Sequence, residues 1–285
     1  MHNSKIEKIA HRLLAELPGF WAEFYGKQLD RILEEVSLAF KPGGTVLDLG
    51  GRPGFHAAIC AAMGMRAICV DNYWTLGDES VWGDKKSEHD QALDTVKKEG
   101  VEFIHTDILS WEPPFPESTI DVVMSFQTME HFHHSPRRVF THLVHVLKPN
   151  GTFILSVPNA AKLANRLRVP FGKNVFSTMD RWYFRDYFDY HVREPVVADL
   201  MTIANDLQLT DCRVFGRNWA MYIRLPRWGQ PLIRCVDHAL RFRPSLCFDI
   251  YLLAKKPAAM ANDRDALERL KPMRERHTAT SVLTK

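Results

Sequence analysis

Cysteine is scarce in this chain of 285 residues: there are five, an odd number, and no two stand in a Cys-x-x-C pair. That excludes a disulfide framework and a paired-cysteine zinc module, and it fits reduced thiols in a cytoplasmic setting. An excess of one charge is also missing. The formal net charge is only +3, whereas a nucleic-acid binder carries a lopsided basic footprint, so no nucleic-acid partner is expected. No stretch approaches the roughly 18 uncharged apolar residues of a membrane span. The opening MHNSKIEKIAHRLLAEL is charged throughout and has no apolar core of a signal peptide. Internal repeats are absent as well. What is present is an ordinary globular composition, 46% hydrophobic and 25% charged. At this length it can build a core without disulfides or a structural metal.

Residues 4–40 have helical spacing, with Ile6, Ile9, Leu13 and Leu14 and then Leu29, Ile32, Leu33 and Val36, and Pro18-Gly19 divides them into two pieces. After Pro42-Gly43-Gly44 the pattern changes to short apolar runs alternating with helices. Strands are predicted at 45–49, 66–70, 101–105, 120–126, 152–157, 210–215 and 247–254. Helices are predicted at about 55–63, from Ser87 (with Asp90 as an approximate capping box), at 137–147 and at 194–207. Pro149-Asn150-Gly151 reads as the turn into the fifth strand. This alternation indicates an α/β fold: a doubly wound, Rossmann-like sheet of seven mostly parallel strands with helices on both faces. Residues 158–192, rich in Arg, Phe and Tyr, read as an α-helical cap. The expected division is an N-terminal helical segment at 1–40, a main domain at 41–256 and a disordered tail at 257–285.

In an open parallel sheet, ligands bind beyond the carboxyl ends of the strands at the switch point. Val46-Leu47-Asp48-Leu49-Gly50-Gly51-Arg52-Pro53-Gly54 occupies that place after the first strand. Its glycines allow a close backbone approach. Asp71 closes the second strand, where an acid can accept from both ribose hydroxyls, and Asp107 follows the third, within reach of an adenine amino group. A nucleoside-containing ligand is implied. A nicotinamide dinucleotide calls for G-x-G-x-x-G, which the glycines at 50, 51 and 54 do not match.

VLDLGGRPG resembles the first motif, D-x-G-x-G-x-G, of the class I S-adenosylmethionine-dependent methyltransferases. Asp71, the pair Thr106-Asp107, the run Ile120 to Ser125 with Met129-Glu130-His131-Phe132, and Val146 to Gly151 through Ser156-Val157-Pro158-Asn159 resemble later family segments in the right order. His191-Val192-Arg193 is similar to an H-x-R segment of the small-molecule and glycan-linked branch. The resemblance implies S-adenosyl-L-methionine as cofactor, with Asp48, Gly50, Gly51 and Gly54 shaping its loop. It further implies Asp71 on the ribose, Asp107 and Ile108 at the adenine, and Gln127 at the amino-acid end. One departure stands out: the central glycine of the motif is Arg52, which Pro53 pushes towards an extended backbone, so that an outward course is expected.

An oxygen or nitrogen acceptor must lose its proton, a task suited to histidine near neutral pH. His131 with Glu130 is the expected catalytic pair, and His191 and Arg193 are expected on the substrate side. Glu and His in close spacing suit a metal, but no second ligand cluster is visible in the sequence, so none is expected. His56 is expected to pack rather than react.

The stretch Arg213–Arg243 holds seven arginines and one acid, Asp237, among apolar residues. Within it, 217–246 reads as a basic amphipathic insert: a lid with its arginines in water, or a peripheral contact with the anionic inner face of a membrane. The expected acceptor is a small molecule: a sugar, polysaccharide precursor or lipid-linked glycan, methylated on oxygen. The rival readings are a non-catalytic adaptor that retains the fold, suggested by Arg52, and a nicotinamide-dependent oxidoreductase.

Overall fold

The structure, a computed structural model, describes residues 2–72, 85–176, 179–184, 190–219 and 230–258. Three helices come first, α1 (His2–Glu16), α2 (Gly19–Gly26) and α3 (Leu29–Ala39). The expected two pieces are therefore three, because Gly26 closes α2 and the chain turns again through Lys27 and Gln28. Then follow β1 (Thr45–Leu49), α4 (Phe55–Ala62), β2 (Arg66–Asp71), α5 (Lys85–Lys97), β3 (Glu102–His105) and β4 (Ile120–Phe126). A 3-10 turn at Met129–His131 leads to α6 (Arg137–Val146) and β5 (Leu147–Pro158). The chain continues with α7 (Leu163–Arg168), α8 (Met179–Tyr183), α9 (Val197–Asp206), β6 (Thr210–Arg217), α10 (Gln230–Arg241) and β7 (Asp249–Lys255).

The strands form one seven-stranded sheet in the order β3-β2-β1-β4-β5-β7-β6. All neighbouring pairs are parallel except those made by β7, which runs antiparallel to β5 and β6. The strand order reverses between β1 and β4, which opens a crevice beyond their carboxyl ends. Two hydrophobic layers sandwich the sheet. On one face Val46, Ala67 and Cys69 pack with Ile6, Leu13, Ile32, Val36 and Phe55 of α1, α3 and α4. On the other, Leu47, Leu49 and Val70 pack with Phe140, Leu143 and Leu200 of α6 and α9. The N-terminal helices thus share a core with the sheet.

Several expected details differ. Ser87 lies inside α5 and caps nothing. Helix α9 begins at Val197, not Glu194, and the Asp199 Oδ2 accepts from the Val196 amide at 2.9 Å. Pro149-Asn150-Gly151 is an irregularity within β5 rather than a turn before it. Ile120 pairs with Leu147 and Val122 with Thr152, and Asn150 adopts φ 59°. The cap region contains α7 and α8, with Phe171, Phe176, Trp182, Tyr183 and Phe184 all exposed. Two arginines of the basic stretch are tied within the chain, Arg217 to Glu34 at 2.8 Å and Arg241 to Asp237 at 3.0 Å. Residues 220–229 of that stretch, and the tail from 259 on, lie outside the described residues.

Candidate functional site

Strand β1 carries Asp48 to the crevice, and the chain turns at once. The Gly50 amide donates to Val70 O at 2.7 Å with φ 75°, a conformation that glycine adopts without strain. A Cβ on Gly50 would collide with Thr128, and one on Gly51 with the Asp48 carboxylate. Gly54, with φ 99°, opens α4 over Val96 and Phe103. Arg52 is not among the described residues with positive φ, so its position does not demand glycine. Its amide donates to Asp71 Oδ2 at 3.3 Å, and its carbonyl accepts from the Tyr25 hydroxyl at 3.0 Å. Arg52 is among the residues that line the crevice.

The crevice is a cavity of about 600 Å³. Asp48, Gly50, Gly51, Asp71, Asp107, Ile108 and Gln127 all line it, whereas Gly54 packs beneath the loop. Asp48 is buried, and its Oδ2 has no hydrogen-bond partner. Burial pushes its carboxyl up to about 7, against the pull of His56. The ends of β2 and β3 are joined where the Thr106 amide donates to Asp71 O at 3.1 Å. Asp107 accepts from the Leu109 amide at 3.2 Å and the Ser110 hydroxyl at 2.8 Å, so its own turn orients it. Gln127 adopts φ 50° just past β4 and donates through Nε2 to Ser156 Oγ at 3.4 Å.

The opposite wall comes from residues that no motif marks. Arg31 and Glu35 of α3, with Tyr25 of α2, line the cavity. Glu35 accepts from Arg31 Nε at 2.9 Å and from the Tyr251 hydroxyl at 2.8 Å, and its Oε2 meets His56 Nε2 at 2.8 Å. Burial opposes its ionisation, but Arg31 and His56 outweigh burial and hold the carboxyl down at about 2. His56 therefore belongs to the cavity wall, in addition to packing on Phe126. The signal available in the sequence was the (i, i+4) pair of Arg31 and Glu35 on an otherwise apolar helix face.

At the far end, His131 lines the cavity, while Glu130 sits fully buried behind it. Burial raises the Glu130 carboxyl to about 7. The Val192 and Arg193 amides donate to the Glu130 carbonyl at 2.7 and 3.2 Å and bring the 191–194 segment alongside. The His131 and His191 rings meet edge-on with centroids 5.0 Å apart. His191 Nδ1 pairs with Glu194 Oε1 at 2.8 Å. Burial disfavours the charged ring, yet this carboxylate prevails and raises the pKa. Arg193 is exposed and does not line the cavity.

A family model described as a methyltransferase domain matches residues 21–209. The chain belongs to that family. An uncharacterized methyltransferase of Mycobacterium sp. (strain JLS) is 30% identical over 142 residues, 47% of this chain and 50% of the relative. The mitochondrial ubiquinone biosynthesis O-methyltransferase of Schizosaccharomyces pombe is 27% identical over 185 residues, 61% and 63% of the two chains. The methyltransferase spans about half the length of the Mycobacterium relative. A SAM-dependent methyltransferase of Thermotoga maritima has the same fold at 12% identity, with a TM-score of 0.51 over 89% of this chain and 98% of that one. One from Archaeoglobus fulgidus, at 17% identity, has a TM-score of 0.50 over 84% and 100%.

The chain thus carries a methyltransferase domain, and the lining of its crevice fits S-adenosylmethionine. The two loop glycines keep the floor clear where any Cβ would intrude, and Asp48 presents an unpartnered buried oxygen. A Tyr-x-x-x-Lys pair, the spacing a short-chain dehydrogenase would use, does occur at Tyr251 and Lys255 but gives the nicotinamide alternative no support. It lies on β7, where the hydroxyl donates to Glu35 and the lysine to Thr152 Oγ1.

Proposed function

We propose that this methyltransferase transfers a methyl group to a hydroxyl oxygen of a small molecule, of the class of sugars, polysaccharide precursors or lipid-linked glycans. The observation that carries this reading is one cavity lined both by the acids of β1, β2 and the β3 turn and by the His131 imidazole. Pockets for small ligands span roughly 300–1,000 Å³, so about 600 Å³ leaves room for a nucleoside cofactor and part of an acceptor. When bound, S-adenosylmethionine supplies an electrophilic methyl on a sulfonium.

The chain's own residues bind and align. Asp71 accepts from the ribose hydroxyls, Asp107 and Ile108 receive the adenine, and Gln127 with the Asp48–Gly54 loop holds the amino-acid end. Direct displacement needs collinear reactants and little water, which the Tyr25, Arg31 and Glu35 wall favours by closing one side. Deprotonation of the acceptor falls to the His131 and Glu130 end, with the His191 ring beside His131. An oxygen acceptor is supported by the Schizosaccharomyces relative, whose name describes an O-methyltransferase. No helix among the described residues is long and apolar enough to cross a membrane. A lipid-linked acceptor would be met through the 217–246 stretch. Sedimentation with anionic vesicles, weakening with salt, is the expected result, and binding indifferent to lipid charge removes that part.

Titration calorimetry with S-adenosylhomocysteine tests the core of the proposal. Saturable one-to-one binding is expected, and Asp71→Asn should weaken it by about tenfold, the worth of one or two hydrogen bonds. Absence of saturable heat with the native chain would refute the proposal.

A further inference from the structure

Glu130, His131 and His191 each offer one ligand atom, and these three atoms lie within 4.8 Å of one another. They come from two separated segments, held together by the paired amide bonds of Val192 and Arg193 to the Glu130 carbonyl. Three points so spaced leave a centre within about 2.8 Å of each, and small side-chain rotations shorten this to the roughly 2.0–2.2 Å of a nitrogen or oxygen bond to a first-row divalent ion. A second, independent observation points the same way. The Glu130 side chain is 0% exposed, and neither carboxylate oxygen has a hydrogen-bond partner. An isolated buried carboxylate is costly, and a bound cation is one of the few ways to satisfy it.

We propose that Glu130, His131 and His191 form a site for a divalent first-row transition cation at the acceptor end of the cavity. Two imidazole nitrogens and one carboxylate oxygen suit zinc or manganese better than magnesium, which prefers an all-oxygen shell. The surroundings have the second layer such sites need. Glu194 Oε1 holds His191 Nδ1 at 2.8 Å, which leaves Nε2 to ligate, and Lys162 Nζ anchors the other oxygen of Glu194 at 3.0 Å. Three protein ligands leave coordination positions open, and His131 borders the cavity, so an acceptor hydroxyl can occupy one of them. Its acidity then rises, as for metal-bound water, and its proton passes to solvent water. The oxygen lone pair forms the new bond to carbon as the carbon–sulfur bond breaks, and sulfur keeps that electron pair as a neutral thioether. His131 is a ligand in this scheme.

The activating role rests on the methyl-transfer reading above; the cation site itself does not. The full chain, stripped with EDTA and dialysed, is titrated by calorimetry with zinc chloride, with magnesium chloride and, separately, with S-adenosylhomocysteine. Manganese binding is followed by loss of the free-ion electron paramagnetic resonance signal. One equivalent of zinc or manganese is expected to bind reversibly. His191→Ala and His131→Ala should each weaken it at least tenfold, and His191→Ala, outside the cavity lining, should leave S-adenosylhomocysteine affinity unchanged. The exposed His134→Ala serves as the control and should leave cation affinity as it is. No saturable binding, binding of magnesium alone, or equal losses in the control and site variants would overturn the cation site. If S-adenosylhomocysteine binds and the metals do not, this inference falls while the methyl-transfer reading stands. If the metals bind and S-adenosylhomocysteine does not, the methyl-transfer reading falls and takes the activating role with it.

Discussion

Gly51 and Asp48 touch where no larger side chain fits, so the cavity floor depends on the first of them. Gly51→Ala should displace the Asp48 carboxylate, destabilise the fold by about 1–3 kcal/mol in urea unfolding, and abolish S-adenosylhomocysteine binding. Asp48 also predicts a pH dependence. Burial raises its carboxyl to about 7, so the native state keeps a proton that the unfolded chain releases near pH 4. The ligand-free protein therefore loses stability as pH rises from about 4 through 7. Scanning calorimetry should show Asp48→Asn gaining on the native chain across that interval, and parallel curves would refute the assignment. The loop acids and glycines were legible from the sequence because contiguous spacing at a strand end determines where they go. Glu130 was legible only as a member of a polar cluster beyond β4. The segment whose Val192 and Arg193 amides bond its carbonyl comes from far along the chain, which no local pattern encodes.

Asp121 at the start of β4 acts as a clasp between elements. It accepts from Lys41 and Lys148 Nζ at 2.7 Å each and from the Thr45 amide at 2.9 Å, which joins the α3–β1 connection to the irregular part of β5. Burial opposes its charge, yet these donors hold the carboxyl down at about 2. Its contribution is complete above the ordinary carboxyl value near 4 and disappears as pH falls towards 2. Both lysines are about half exposed, so solvent screens them and the amide bond dominates. Asp121→Ala should cost about 1–3 kcal/mol at pH 7 in urea unfolding, and the difference from the native chain should shrink below pH 3. Short apolar runs bounded by Gly and Pro made β1, β2 and β4 readable to within a residue. The start of β5 was hidden because Pro149-Asn150-Gly151 has the composition of a turn; Leu147 pairs with β4 before it, and Asn150 and Gly151 exchange backbone bonds with Lys256 just past β7.

On the scale of the whole molecule, the N-terminal helices belong to both the core and the site. Ile6, Leu13, Ile32 and Val36 pack beneath β1, while Tyr25, Arg31 and Glu35 wall the cavity. Deleting residues 1–39 should abolish S-adenosylhomocysteine binding and broaden or remove the cooperative thermal transition; a truncated chain that binds normally would contradict this. The sequence shows the amphipathic stripe of these helices. It does not show that Glu35 is matched to Tyr251, because that partnership joins the two ends of the described chain. Beyond Tyr251 the same line continues, since its hydroxyl also accepts from the Trp219 indole at 3.0 Å. The protein thus contains a built-in optical reporter. A molecule settling against Glu35 perturbs a phenol and, through it, a fluorescent ring. Cofactor occupancy should therefore be readable, without any label, as an emission change that is reduced in Trp219→Phe.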